Sequence, residues 1–162
     1  MLLTRVLRSS RAVLFLSVMA AAPGFAMSRP MSDEELVRSS SVVVDARVQR
    51  LTSHWNEAHS LIFTTVELDV SGTLYSRDAS SPRSLALEIL GGELGGVGLL
   101  ASEAPEFQPG ERVLVFARPW TPGRLVLTGG ASGAMRVDDA GNVRGRGMTV
   151  SRFASVIRGL AR

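Results

Sequence analysis

The chain contains no cysteine and no lysine, and among its 162 residues it has only two histidines and one tyrosine. The lack of cysteine removes disulfide frameworks, thiolate metal ligands and thiol nucleophiles at once. It also excludes lipid attachment through a cleavage-site cysteine. Without lysine there is neither an amine nucleophile nor the lysine of a phosphate-binding loop, and every basic side chain is an arginine that stays charged far above neutral pH. His54 and His59 are the only imidazoles available as bases, and no Gly-x-Ser-x-Gly elbow presents a serine nucleophile.

What is present begins with an export signal. Arg5, Arg8 and Arg11 form a positive leader, Ala12 to Ala22 an apolar run, and Gly24-Phe25-Ala26 a small-x-small cleavage site. The apolar run is shorter than the ~20 residues a bilayer-spanning helix needs, and nothing after Ala26 resembles a second span. The expectation is a signal peptide over 1–26, then a soluble secreted or periplasmic protein starting at Met27 with no stable membrane anchor. Three of the 18 basic residues lie in the leader, so the exported part is formally neutral against its 15 acidic residues. The sequence pI near 10.8 therefore marks no nucleic-acid footprint.

The exported part has the length of one ordinary domain. Within its N-terminal segment, 27–40, Ser32-Asp33-Glu34-Glu35 reads as a capping box that opens a short helix through about Arg38. From residue 41 the pattern changes to short β-branched and apolar runs separated by Gly, Pro, Ser and Asp clusters. Val42-Val43-Val44 with Ala46 and Val48 predicts one strand. A long second strand, Leu61 to Leu74, alternates with Ile62, Thr64, Val66, Leu68 and Val70 on one face; Thr65, Glu67 and Asp69 lie on the other, where Phe63 is the exception. Further strands are predicted at Leu85–Leu90, Arg112–Ala117, Arg124–Thr128, Ala134–Val137 and Asn142–Arg144, the last two joined by the turn Asp138-Asp139-Ala140-Gly141. Thr149 caps a closing helix over 149–161 with Phe153, Val156, Ile157 and Leu160 on one face. The fold class is mainly β with two flanking helices, best matched by a small antiparallel OB-like barrel over 41–162, with a β-sandwich as the alternative. One core of Val66, Leu68, Val70, Val113, Val115, Phe116 and Ile157 is expected.

Trp55, the run Ile62 to Val70, Gly91-Gly92-Glu93-Leu94-Gly95-Gly96 and Ala104 to Phe116 together resemble a group of uncharacterised exported bacterial proteins. The same order of strand, glycine-rich bend and Gly-Glu-x-Val-Leu-x-Phe strand is distantly similar to the barrel of netrin-like modules and tissue metalloprotease inhibitors. Those inhibitors chelate the protease zinc through an N-terminal cysteine. This chain has none, so the resemblance implies the barrel shape and not the mechanism.

Candidate chemistry is sparse. His54, Glu57 and His59 surround Trp55 in an expected polar loop, and they could ligate a metal, but the spacing matches no zinc motif, so no metal and no cofactor is expected. Trp55 is either a contact for a ligand or a ring folded back on the barrel end, with burial favoured. Trp120 marks the tip of the Pro119 to Gly123 connection. The Gly91 to Gly98 segment lacks the sequence of a phosphate loop and reads as a bend. Glu67 and Asp69 share a face that is expected to be solvated. The function expected is a non-catalytic binding or interaction module acting on another exported protein, with Trp55, His54, His59 and Trp120 as possible contacts and no catalytic residue. The alternative is a small hydrolase or metal-dependent enzyme built on the His54 to His59 loop.

Overall fold

The computed structural model describes residues 30–161, and the expected export signal lies outside them. Helix α1 spans Asp33–Ser39 and starts as the capping box predicts: the Ser32 hydroxyl accepts from the Glu35 amide, and the Glu35 carboxylate accepts from the Ser32 amide. Ten strands follow, β1 Val42–Trp55, β2 Ile62–Ser76, β3 Ser84–Leu90, β4 Gly92–Leu94, β5 Val97–Leu99, β6 Arg112–Thr121, β7 Arg124–Leu127, β8 Ala134–Val137, β9 Asn142–Val143 and β10 Met148–Thr149. Helix α2, Val150–Leu160, closes the chain with Thr149 as its N-cap.

The fold is mainly β. Eight strands make one sheet in the order β1-β2-β3-β7-β6-β8-β9-β10, and β1 pairs with β6 as well as with β2. The additional pairing links the two ends of the run β1-β2-β3-β7-β6 into a ring of paired strands within one large mixed sheet. Each strand of the ring sends side chains inward, among them Val44, Leu68, Leu87, Val115 and Leu127. The all-antiparallel expectation needs one correction: β3 and β7 run parallel and meet at a single pair, Leu87 and Leu125. Strand β7 reaches β3 only after the long excursion through β4, β5 and β6, and a connection of that length permits a parallel approach that a tight turn forbids.

The expected single core is in fact two. Val66, Leu68, Val113 and Val115 belong to the inner cluster, with the half-buried Val70 packed against it. Phe116 and Ile157 belong to a second cluster, where α1 and α2 cover the outward side of β1, β6, β8 and β9. Here the Phe116 and Phe153 rings meet edge-on at 6.4 Å. Two cores explain why Val42 to Ala46 is buried on both faces: inward residues fill the ring while Val43 faces the helices. A strand covered on both sides reads as a continuous apolar run, which is the pattern of Val42-Val43-Val44.

The glycine-rich segment is a bend that also carries the small hairpin β4–β5. Gly91 and Gly92 both adopt positive φ, and a Cβ on Gly92 would overlap the Thr64 and Ser53 hydroxyls. Only glycine turns the chain there and passes that close to β1 and β2. Among the described residues no helix is long and apolar enough to cross a membrane.

Candidate functional site

Strand β1 runs on to Trp55, so His54 and Trp55 sit on a strand and not in the polar loop expected of them. Adjacent strand residues point to opposite faces, and this separates the two histidines. His54 lies over Phe63 with ring centroids 6.3 Å apart, whereas the exposed His59 stacks on Trp55 at 6.4 Å. Trp55 is half-buried under that stack, neither a bare contact nor a sealed plug. The proposed grouping of His54, Glu57 and His59 is not assembled. Among the described residues no three His, Asp or Glu side chains come together as a metal set.

What the fold assembles instead lies on the outward face of β1, β2, β3 and β7. The ladder places His54 opposite Phe63, Phe63 opposite Leu90 and Thr65 opposite Glu88. Residues directly opposite share a face, so these side chains converge. Glu88 is central, with only 5 % of its side chain exposed although it points away from the ring. The Thr65 hydroxyl donates to its Oε1 at 2.7 Å, Nη1 of Arg124 reaches the same oxygen at 3.0 Å, and His54 Nε2 lies 3.0 Å from Oε2. A buried carboxylate needs such partners, and here they come from three other strands. Beside this network the Phe63 ring meets Trp120 at 5.3 Å and a 32° tilt, so His54, Phe63 and Trp120 form a row of rings over Glu88.

Next to the rings is a cleft of about 420 Å³ whose lining includes Leu61, Phe63, Leu90, Pro105, Val126 and Trp120. Arg118 and Glu103 stand at this cleft, and neither side chain has a hydrogen-bond or ion-pair partner among the described residues. A second cleft of about 600 Å³ adjoins it, sharing Leu90, Ala101, Ala104 and Pro105 and including Leu100. Leu100 is 97 % exposed, an extreme value for a leucine.

The network's geometry bears on chemistry. In a nucleophile–histidine–carboxylate triad, the nucleophile and the acid bond opposite nitrogens of the ring. Here Thr65 Oγ1, at 3.2 Å, and the Glu88 carboxylate approach the same nitrogen, Nε2, while Nδ1 lies 3.2 Å from the Trp55 carbonyl. The Thr65 hydroxyl moreover spends its proton on Glu88. The arrangement is not that of a nucleophile–histidine–carboxylate triad.

Other polar features have structural roles. Around a cleft of about 490 Å³ at the opposite end of β6, Arg112 grips the buried Asp45 through two bonds of 2.9 and 2.6 Å. That hydrogen bonding holds the Arg112 proton more tightly than usual, against a smaller opposing effect of burial. In the turn between β8 and β9, Asp138 accepts the backbone and side-chain N–H groups of Asn142, which lower its pKa below the usual aspartate value. Glu67, half-buried, pairs with Arg50 at 2.7 Å on the outward face, and Asp69 is exposed.

Of the expected contacts, then, Trp120 and His54 each meet Phe63 on one surface, while Trp55 and His59 stack together apart from it. Glu88, Phe63, Arg124 and Arg118 belong to the surface and were not foreseen. The sequence did hold a signal for two of them: Glu88 interrupts the apolar run Leu85 to Leu90, and Phe63 breaks the alternation of β2. No protein-family model matches this chain, and no curated protein matches it either.

Proposed function

We propose that the protein is an exported, non-catalytic interaction module that docks on another exported protein through the outward face around Phe63, Leu90 and Trp120. One observation carries the reading: of the six large apolar side chains left exposed among the described residues, four, Leu61, Leu90, Leu100 and Trp120, line two adjoining clefts. Soluble proteins rarely leave contiguous apolar surface uncovered unless something binds there, and the enrichment in aromatic rings and an arginine is the composition of an interface core. The group that fits is an extended segment with an aliphatic or aromatic anchor seated between Phe63 and Trp120. The shared coordination of His54 Nε2 by Thr65 and Glu88 supports the non-catalytic part of the reading. Export rests on the leader sequence, and the likeness to netrin-like barrels stands beside it as a proposal about shape.

The test is selection from a displayed random-peptide library, followed by affinity measurement with labelled synthetic peptides. Selected peptides should carry an apolar anchor and should lose about tenfold or more in affinity on Trp120→Ala, the scale of an interface anchor. Trp55→Ala, on the other surface, should leave binding unchanged. Failure to enrich any peptide, or equal sensitivity to both substitutions, would refute the assignment.

A further inference from the structure

Resting on that reading, we infer that the protein docked on this face is a second copy of the same chain, joined by a two-fold contact in which each copy's Leu100 enters the other's Phe63–Trp120 cleft. Three features of the surface lead there. Leu100 is a knob, almost wholly exposed on the segment that follows β5, and the cleft of about 420 Å³ beside it is a hole. Knob and hole adjoin on one surface, sharing the walls formed by Leu90, Ala101, Ala104 and Pro105. A self-complementary patch of this kind is what a two-fold interface demands, since residue i must meet residue j and j must meet i.

The charges agree. Arg124 is already taken by Glu88, but Arg118 and Glu103, one cation and one anion at the same cleft, have no ion-pair partner among the described residues. Across a two-fold axis, Arg118 of one copy faces Glu103 of the other twice over, so each copy supplies the counter-charge the other lacks. A partner of strong single-sign charge would satisfy only one of the two. The exported part is formally neutral, so no long-range repulsion opposes the approach of two copies.

The experiment is sedimentation equilibrium of the exported chain over concentrations on the order of 1 to 100 µM, the range where an interface of modest size reports itself. The wild type should dimerise. Arg118→Glu and Glu103→Arg should each weaken the dimer by about tenfold or more, because each turns two attractions into two repulsions. An equimolar mixture of the two variants should re-form a dimer, since both cross-contacts are then between opposite charges. Leu100→Asp should also yield a monomer, and below the concentration where the wild type dissociates it should share the wild-type denaturation midpoint, because Leu100 touches little within its own chain. A wild type that stays monomeric across the range, a dimer indifferent to the charge reversals, or a mixture that stays monomeric each overturns the inference. Peptide binding separates the two levels: a monomer that binds the library-selected peptides removes the second copy but keeps the docking face, and one that binds none removes both.

Discussion

Removing the Arg124 guanidinium is expected to cost more stability than removing the carboxylate it pairs with. The two partners differ in burial: 52 % of the Arg124 side chain is exposed, against 5 % for Glu88. In Glu88→Ala, Arg124 and His54 can turn to water, and the loss is confined to a few charge-assisted hydrogen bonds, roughly 1.5 kcal/mol. In Arg124→Ala the carboxylate stays buried with a neutral hydroxyl and the partly exposed His54 as its remaining partners. Breaking a buried pair in that direction costs about 3 kcal/mol, the low end of the usual range because those partners persist. Changing Glu88 to Gln in the Arg124→Ala background should then recover about 1 kcal/mol by removing the stranded charge. Urea denaturation at neutral pH, followed by tryptophan fluorescence, measures all three. If Arg124→Ala proves cheaper than Glu88→Ala, or if Glu88→Gln further destabilises the Arg124→Ala protein, then Glu88 is not held in a water-poor site by its partners and the reasoning fails.

Leu68 is fully buried within the ring, so Leu68→Ala should lower unfolding free energy by about 2 to 5 kcal/mol, and an unchanged denaturation midpoint would disprove its place in the core. Hydrogen bonds from the Ser76 and Ser80 hydroxyls lower the Asp78 carboxyl to about 2, and Asn142 lowers Asp138 likewise. Both carboxyls release their protons more readily in the folded chain. The stability they contribute is therefore complete above the ordinary aspartate value near 4 and is lost as pH falls through the folded values. The Ser80 amide resonance should accordingly titrate near pH 2 and that of Asn142 below the ordinary aspartate value near 4, and constancy of both as the pH falls below that value would count against these turns. The export reading predicts a mature N-terminus at Met27, which intact-mass measurement of the exported protein checks.

Local signals proved readable and long-range ones did not. The capping box at Ser32 and the Thr149 cap were legible because the cap hydroxyl and the backbone N–H that donates to it lie within one helical turn. Strand β2 was legible because alternation is a property of neighbouring residues, and the turn between β8 and β9 because its turn formers, Asp138-Asp139-Ala140-Gly141, are consecutive. The site was hidden for the converse reason. Glu88 meets His54 across 34 residues and Thr65 across 23, and no local pattern encodes such pairings. The polar residues around His54, Glu57 and His59 read as a loop; β1 continues there as half of a hairpin with β2, whose Thr and Phe side chains answer it across the ladder. The parallel β3–β7 contact was equally invisible, since one bridge between distant strands leaves no periodicity.

That contact also explains why the polar network and the apolar surface occur together. A ring of strands must close somewhere, and this one closes at its thinnest seam, the single Leu87–Leu125 pair. Few backbone hydrogen bonds hold β3 to β7, so side chains must supply the rest, and the Glu88–Arg124 pair spans that seam while Thr65 and His54 tie β3 back to β2 and β1. To span it, the Glu88 carboxylate lies on the outward face, where its ion pair and hydrogen bonds offset the cost of desolvation and strengthen when neighbours exclude competing water. Rings do this, and Phe63 and Trp120 meet beside it. Their other edges necessarily face solvent, with Leu61 and Leu90 alongside. The Glu88 network and the exposed apolar surface thus share Phe63 and Trp120 as their common boundary. It follows that substitutions loosening the seam, Arg124→Ala foremost, should weaken docking at the Phe63–Trp120 cleft although Arg124 itself does not line it.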